Sequence, residues 1–203
     1  MDKTKSEIPE FEVYFDYLCP FVYRVAVWLR EVEKELGEKL PVTWRYFSLE
    51  QSNSRNPEKN AWDDDYGFKV RGINAFRAAE AVRRQEEDVF LKFHDRLLDT
   101  RHLRWQDISD TELLKNVADE AGADVNRFLK DMDDTTMIEA LVRDHTRAVE
   151  VHEIFGTPTF VFNGDSPVYL KLEEPDFPDN LGFFREFISI AVDRPNVLEI
   201  KRP

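Results

Sequence analysis

Phe11-Glu12-Val13-Tyr14-Phe15-Asp16-Tyr17 runs into Leu18-Cys19-Pro20-Phe21-Val22, and the reading of this stretch decides the fold. Its first seven residues are rich in aromatic and β-branched side chains. Phe11, Val13, Phe15 and Tyr17 share one face of an extended chain, so the segment predicts a strand. Beyond Cys19 the period changes. Val22, Val25, Ala26, Leu29, Val32 and Leu36 recur at the spacing of a helical apolar stripe. Pro20 suits the first helical position, where an N–H would lack a partner anyway, and Gly37 suits a left-handed C-terminal cap. Cys19 is therefore expected at a helix N-terminus, facing unpaired N–H groups and the positive end of the dipole, which favour a thiolate. A nucleophilic sulfur is the functional expectation, with an inert buried cysteine as the alternative.

Outward from this stretch, Val42, Trp44 and Tyr46 alternate with Thr43, Arg45 and Phe47 as a second strand. Strand, helix and strand in this order imply a parallel pair with a right-handed crossover. Residues 48 to about 73 carry many Ser, Asn, Pro and Asp residues and read as a long loop with one short helix. Asp63-Asp64-Asp65 lacks the ligand spacing of a metal loop and reads as a solvated turn, with Trp62 and Tyr66 beside it packed on the core.

From Asn74 to Ile154 the pattern is helical. Ser109-Asp110-Thr111-Glu112 is a predicted capping box, with Gly122 ending its helix. A short helix follows Asp124, with Val125, Phe128 and Leu129 inward. Thr136-Met137-Ile138-Glu139 opens a longer helix through Leu141, Val142, His145, Val149 and His152. The second decisive stretch is Phe155-Gly156-Thr157-Pro158-Thr159-Phe160-Val161-Phe162-Asn163-Gly164: a buried strand closed by an Asn-Gly hairpin turn. Val168 to Leu172 returns as its partner, Asn180 to Val192 forms a closing helix, and Asn196 to Ile200 is expected as an edge strand.

The chain of 203 residues carries 41 acidic and 28 basic residues, a net charge of −13. Phosphate backbones and anionic lipids reward the opposite sign, so nucleic-acid and membrane-surface partners are excluded as expectations. No apolar run is long enough for a membrane span. The N-terminus lacks the apolar core of a secretory signal, and one cysteine fits a reducing compartment, so a cytoplasmic location is expected.

Strand, Cys-Pro-x-x and helix, followed far downstream by Gly156-Thr157-Pro158-Thr159, resemble a DsbA-class thioredoxin-fold oxidoreductase. The chain is most similar to its FrnE-like cytoplasmic branch, with 2-hydroxychromene-2-carboxylate isomerases and kappa-class glutathione transferases as more distant kin. The resemblance implies an α/β thioredoxin-like fold with a helical insertion between a βαβ half and a ββα half. One domain over 1–203 is expected, with a core at 11–56 and 155–203 and the insertion at about 57–154. It also implies a cis Thr157–Pro158 bond whose backbone offers its N–H and C=O to an extended peptide or a glutathione-like backbone. The departure is at the fourth motif position, where the family's second cysteine is replaced by Val22.

With one thiol, Cys19 is expected to attack a disulfide as catalytic nucleophile and to be resolved by an external thiol, a monothiol mechanism. Pro20, Phe21, Val22, Thr157 and Pro158 are expected to meet the substrate, with Phe21 and Val22 as a dry rim and His152 steadying the thiolate. No cofactor or metal is expected, since one Cys and four His give no zinc spacing; a glutathione-like low-molecular-weight thiol is the expected co-substrate. Partners are then small thiols and disulfides or an extended peptide. The alternatives are a thiol-dependent isomerase or transferase acting on a small electrophile, and a non-catalytic binding module. Arg101, Arg104 and Trp105 are a further candidate for an anionic ligand end, against a solvated basic turn.

Overall fold

The computed structural model describes residues 8–55, 59–63, 71–174 and 177–201. Strand β1 (Phe11–Phe15) leads to helix α1 (Pro20–Leu36) and strand β2 (Val42–Tyr46). After the single turn α2 (Leu49–Ser52) come α3 (Arg71–Arg83), α4 (Glu87–His102), α5 (Thr111–Ala121), α6 (Val125–Met132), a 3-10 turn (Thr135–Ile138) and α7 (Glu139–Glu150). Strands β3 (Thr159–Phe162) and β4 (Ser166–Tyr169) and helix α8 (Asn180–Asp193) close the chain. Among the described residues the strands form one sheet in the order β2-β1-β3-β4. β1 runs parallel to β2 and antiparallel to β3, so the first strand lies at the centre. The fold is thioredoxin-like, with helices inserted between its βαβ and ββα halves.

The central place of β1 follows from its residues. Phe11, Val13 and Phe15 point to one face and Tyr14 to the other, and all four are buried. On the first face, Trp28 of α1 is boxed by Phe177, Phe183, Phe184 and Phe187 at centroid distances of 5.0 to 6.1 Å, which docks α8 onto α1. Phe15 and Tyr17 continue this core into α3 and α4 through Phe76 and His94. On the second face Tyr14, Phe47, Ala148, Ile154 and Val161 form a separate cluster under α7. Gly37 caps α1 with φ +77°, and Asn163-Gly164 turns the hairpin with both residues at positive φ.

Several expectations shift in detail. β1 ends at Phe15 because Asp16 starts a turn: its carbonyl accepts the Cys19 N–H at 3.0 Å. Asp110, not Ser109, caps α5, accepting the N–H groups of Glu112 and Leu113. In α6 it is Met132 that is buried with Phe128, while Leu129 is exposed. α7 ends at Glu150, before His152. β4 starts earlier than Val168, with Pro167 accommodated because β4 is an edge strand. No strand forms at 196–200, where Leu198 is 94% exposed. Trp62 packs edge-on against His145, and Asp63 accepts the Asn60 N–H; Asp64, Asp65 and Tyr66 lie outside the described residues.

Candidate active site

Cys19 is the N-cap of α1, with extended backbone angles (φ −82°, ψ 116°) and Pro20 as the first helical residue. Its carbonyl accepts the Tyr23 N–H at 3.3 Å, so the helix begins one bond after the thiol, as the sequence implies. Cys19 Sγ is 3.3 Å from the Thr157 carbonyl, to which the thiol donates across a separation of 138 residues. The Thr157–Pro158 bond is cis. The two decisive stretches of sequence therefore meet at one sulfur. Leu170 N–H donates to the Pro158 carbonyl at 3.2 Å, which ties the end of β4 to the same loop.

The site is nearly closed. Cys19 is 5% exposed and Thr157 is 2% exposed. The Thr157 Oγ1 atom is buried without a hydrogen-bond partner, and its N–H has no partner among the described residues. Pro20 is exposed and Phe21 half-buried.

Two of the residues expected at the site are placed elsewhere. Val22 is fully buried in the core under α1, so it is not part of an exposed rim. Its position on the apolar stripe makes that unavoidable. His152 does not reach the sulfur: its ring lies 5.9 Å from Tyr14, on the sheet face opposite the cluster that contains Cys19. Because α7 stops at Glu150, His152 starts the loop and turns back under the sheet. Burial holds it below the usual histidine range.

Two residues that sequence reasoning passed over brace the cysteine loop. Asp16 is buried; its carboxylate accepts the N–H groups of Leu18 and Leu49, both at 2.8 Å. Burial pushes its pKa up to about 7, with Glu50 adding to the rise and the two N–H bonds opposing it. A lone acid inside an aromatic run, three residues before the cysteine, is a signal that could have found it. His102, at the end of α4, places Nε2 2.9 Å from the Tyr17 carbonyl. A carbonyl only accepts, so Nε2 carries the proton. The same ring stacks on Tyr23 at 5.4 Å. No local pattern announces this contact, because it depends on where α4 docks.

The other histidines serve the core. His145 Nδ1 accepts the Ser48 N–H at 3.2 Å, and burial lowers its pKa to about 4, so the ring is neutral. His94 Nδ1 lies 3.3 Å from the Tyr17 hydroxyl, and burial holds it well below the usual range. Among the described residues no group of His, Cys, Asp or Glu could hold a metal ion, and no helix is long and apolar enough to cross a membrane. Trp105 is exposed at φ +56° just beyond His102, with Leu103 exposed beside it.

A family model described as a DSBA-like thioredoxin domain matches residues 10–180. The chain belongs to this family. It is 27% identical over 195 residues to an uncharacterised protein of Mycobacterium tuberculosis, covering 95% of this chain and 81% of that one. In fold it resembles DsbA from Mycobacterium tuberculosis (TM-score 0.57, 18% identity, 97% of this chain and 89% of the other). It also resembles a 2-hydroxychromene-2-carboxylate isomerase (TM-score 0.63, 15% identity, 94% and 99%). DsbA-like oxidoreductases and this isomerase thus share the architecture of this DSBA-like chain.

Proposed function

We propose that this DSBA-like protein is a thiol-disulfide oxidoreductase that works with one protein thiol in a reducing, cytoplasmic setting. The observation that supports it most is the seat of Cys19: helix N-cap, Pro20 next, and Sγ against the carbonyl of Thr157. Helix termini favour the anionic sulfur that attack requires. Cys19 attacks one sulfur of a substrate disulfide; the S–S bond breaks and its electron pair leaves on the other sulfur as a thiolate. An external thiolate then displaces the second half of the substrate, leaving its own sulfur on Cys19. A second equivalent attacks that external sulfur and restores Cys19. In sum, the substrate disulfide is reduced to two thiols and the external thiol is oxidised to its disulfide. Val22, fully buried, takes no part.

The test is intact-mass detection of a mixed disulfide after mixing the protein with glutathione disulfide, together with turnover in excess glutathione. A glutathione adduct on Cys19 and loss of turnover in Cys19→Ser are expected. Full turnover in Cys19→Ser would overturn the mechanism.

A second reading is favoured by the near-complete burial of Cys19. In it, a bound small thiol attacks a small electrophile, as a thiol-dependent isomerase or transferase would require, and Cys19 only positions that thiol. Saturable glutathione binding with no adduct on Cys19 would select it. Partner binding that survives Cys19→Ser, with neither chemistry present, would point instead to a non-catalytic module.

A further inference from the structure

The carboxyl end of α4 carries a basic and aromatic turn that the thiol chemistry does not use. Helix α4 stops at His102, and the chain then closes tightly over its last carbonyls. The N–H groups of Leu103 and Arg104 both bond the Asp99 carbonyl, at 2.9 and 3.2 Å, and the Gln106 N–H bonds the Thr100 carbonyl at 3.2 Å. His102 adds a fourth tie, through the Tyr17 carbonyl at 2.9 Å. These bonds hold in place whatever the turn displays. It displays Leu103, 60% exposed, and Trp105, 78% exposed. Trp105 sits at φ +56°, in the left-handed position after a helix that glycine or asparagine ordinarily fills. A bulky side chain there strains the backbone, and this one recovers little by burial.

Two arginines frame the tryptophan. Arg101 stands in the last turn of α4, and Arg104 precedes Trp105 in the turn beyond it. Neither side chain forms an ion pair or a hydrogen bond among the described residues, and the Arg101 Nε atom is buried without a partner. The carboxylates nearest in sequence are committed elsewhere. Asp99 accepts from Arg30 at 3.2 Å, and Asp107 accepts the Ser109 N–H and hydroxyl at 3.1 and 2.9 Å. Other arginines of the helical insertion do find acids: Arg96 pairs with Glu120, Arg84 with Glu80 and Arg127 with Asp131. Acidic residues outnumber basic ones by 41 to 28, so two neighbouring cations left without a carboxylate stand out. The negative end of the α4 dipole accounts for Arg101, but not for Arg104 or Trp105, which lie beyond the helix.

We infer that residues 101–105 are a docking surface for an acidic segment of a partner protein, whose carboxylates pair with Arg101 and Arg104 while an apolar side chain of the same segment packs on Leu103 and Trp105. Tryptophan and arginine are the residue types that carry most of the binding energy at protein interfaces. Charge complementarity sets the sign of the partner, and the two apolar side chains set its mixed character. A long polyanion, such as a nucleic acid or an anionic membrane, would also meet the net charge of −13 on the whole chain. A short acidic segment engages the turn alone. Docking involves no covalent step and does not depend on the reaction proposed at Cys19.

The experiment is an NMR titration of the full chain with a cysteine-free ten-residue peptide in which Asp and Glu flank a Leu-Phe pair. Matched peptides carry Asn and Gln, or Lys, in place of the acids, and a short single-stranded oligonucleotide is the polyanion control. The indole N–H signal of Trp105 is assigned by its loss in Trp105→Gly, a substitution that suits φ +56° and so leaves the fold intact. Saturable movement of that signal by the acidic peptide is expected. The affinity should fall at least about tenfold in Trp105→Gly and on the order of tenfold in Arg101→Gln with Arg104→Gln. It should also fall at high salt, where the Debye length shortens to about 3 Å. The thermal midpoint of Trp105→Gly is expected to hold or rise, since the strain is relieved. No saturable shift, or equal binding of the acidic, amide and Lys peptides, overturns the inference and leaves the thiol mechanism untouched. Tighter binding of the oligonucleotide overturns it in favour of a nucleic acid. Self-association of the parent that Trp105→Gly abolishes, with no peptide binding, overturns it in favour of a second copy of the chain.

Discussion

Asp16 gives the sharpest quantitative test, because it is buried and braces the loop that carries Cys19. Its pKa in the folded protein is raised from 3.8 to about 7. A raised carboxylate binds its proton more tightly in the folded protein than in the unfolded chain. Its contribution to stability is therefore fully present below about pH 4 and lost as the pH rises through about 7. A tenfold difference in proton affinity corresponds to about 1.4 kcal/mol, so the full effect is roughly 4 kcal/mol between these limits. Urea unfolding of the parent and of Asp16→Asn at intervals from pH 4 to 8 measures it, since subtracting the variant removes other titrating groups such as Asp95, which burial raises to about 6. The stability of the parent minus that of the variant is expected to fall by roughly 4 kcal/mol as the pH rises, the two opposing N–H bonds being already contained in the value of about 7. A flat or rising difference would refute the reasoning. It would mean that the bonds from Leu18 and Leu49 keep Asp16 ionised throughout and outweigh its burial.

Other outcomes are expected. Trp28→Ala, which empties the box formed by four phenylalanines, should cost about 3–5 kcal/mol in urea unfolding; a loss under about 1 kcal/mol would show that α8 is not anchored there. Gly37→Ala meets no atom within 4 Å, so only its φ of +77° opposes the side chain; a loss of about 1 kcal/mol is expected, and a gain would contradict the left-handed cap. Val22→Cys places a second thiol one helical turn from Cys19. It should convert trapped mixed disulfides into an internal one, read by intact mass with release of the small thiol, and an adduct that persists in Val22→Cys would show that the buried position cannot reach the sulfur.

What was legible in the sequence was whatever is coded locally or by a pair of distinctive motifs. The strand-to-helix change at Cys19, the Gly37 cap, the Asn163-Gly164 turn and the buried Thr159–Phe162 run all carry their cause within a few residues. Their agreement with one family order pairs Cys19 with the Thr157 loop, and the two meet in the structure. What failed depended on docking. His152 lies beside the loop in sequence, but the chain turns after Glu150 and carries it to the other face of the sheet. Val22 stands on the apolar stripe of α1, so its burial was legible there, and the rim reading followed from its motif position alone. Arg24 and Lys171, which both reach the Phe21 ring, are nearly 150 positions apart, and His102 acts on Tyr17 from the far end of α4. The tail at 196–200 has strand-forming residues but pairs with no strand, so propensity alone does not make it one.

The central position of β1 has a consequence for synthesis. One of its edges is covered early by β2, but the other waits for β3, and the Thr157 carbonyl that seats Cys19 lies 138 residues downstream of it. At ordinary rates of translation that interval lasts roughly 7–28 s. Throughout it the thiol exists on the emerging chain without its lid, beside an open strand edge. In that interval any small disulfide that meets the open thiol can leave half of itself on Cys19 and release the other half as a thiol, before the last third of the chain arrives to cover the sulfur.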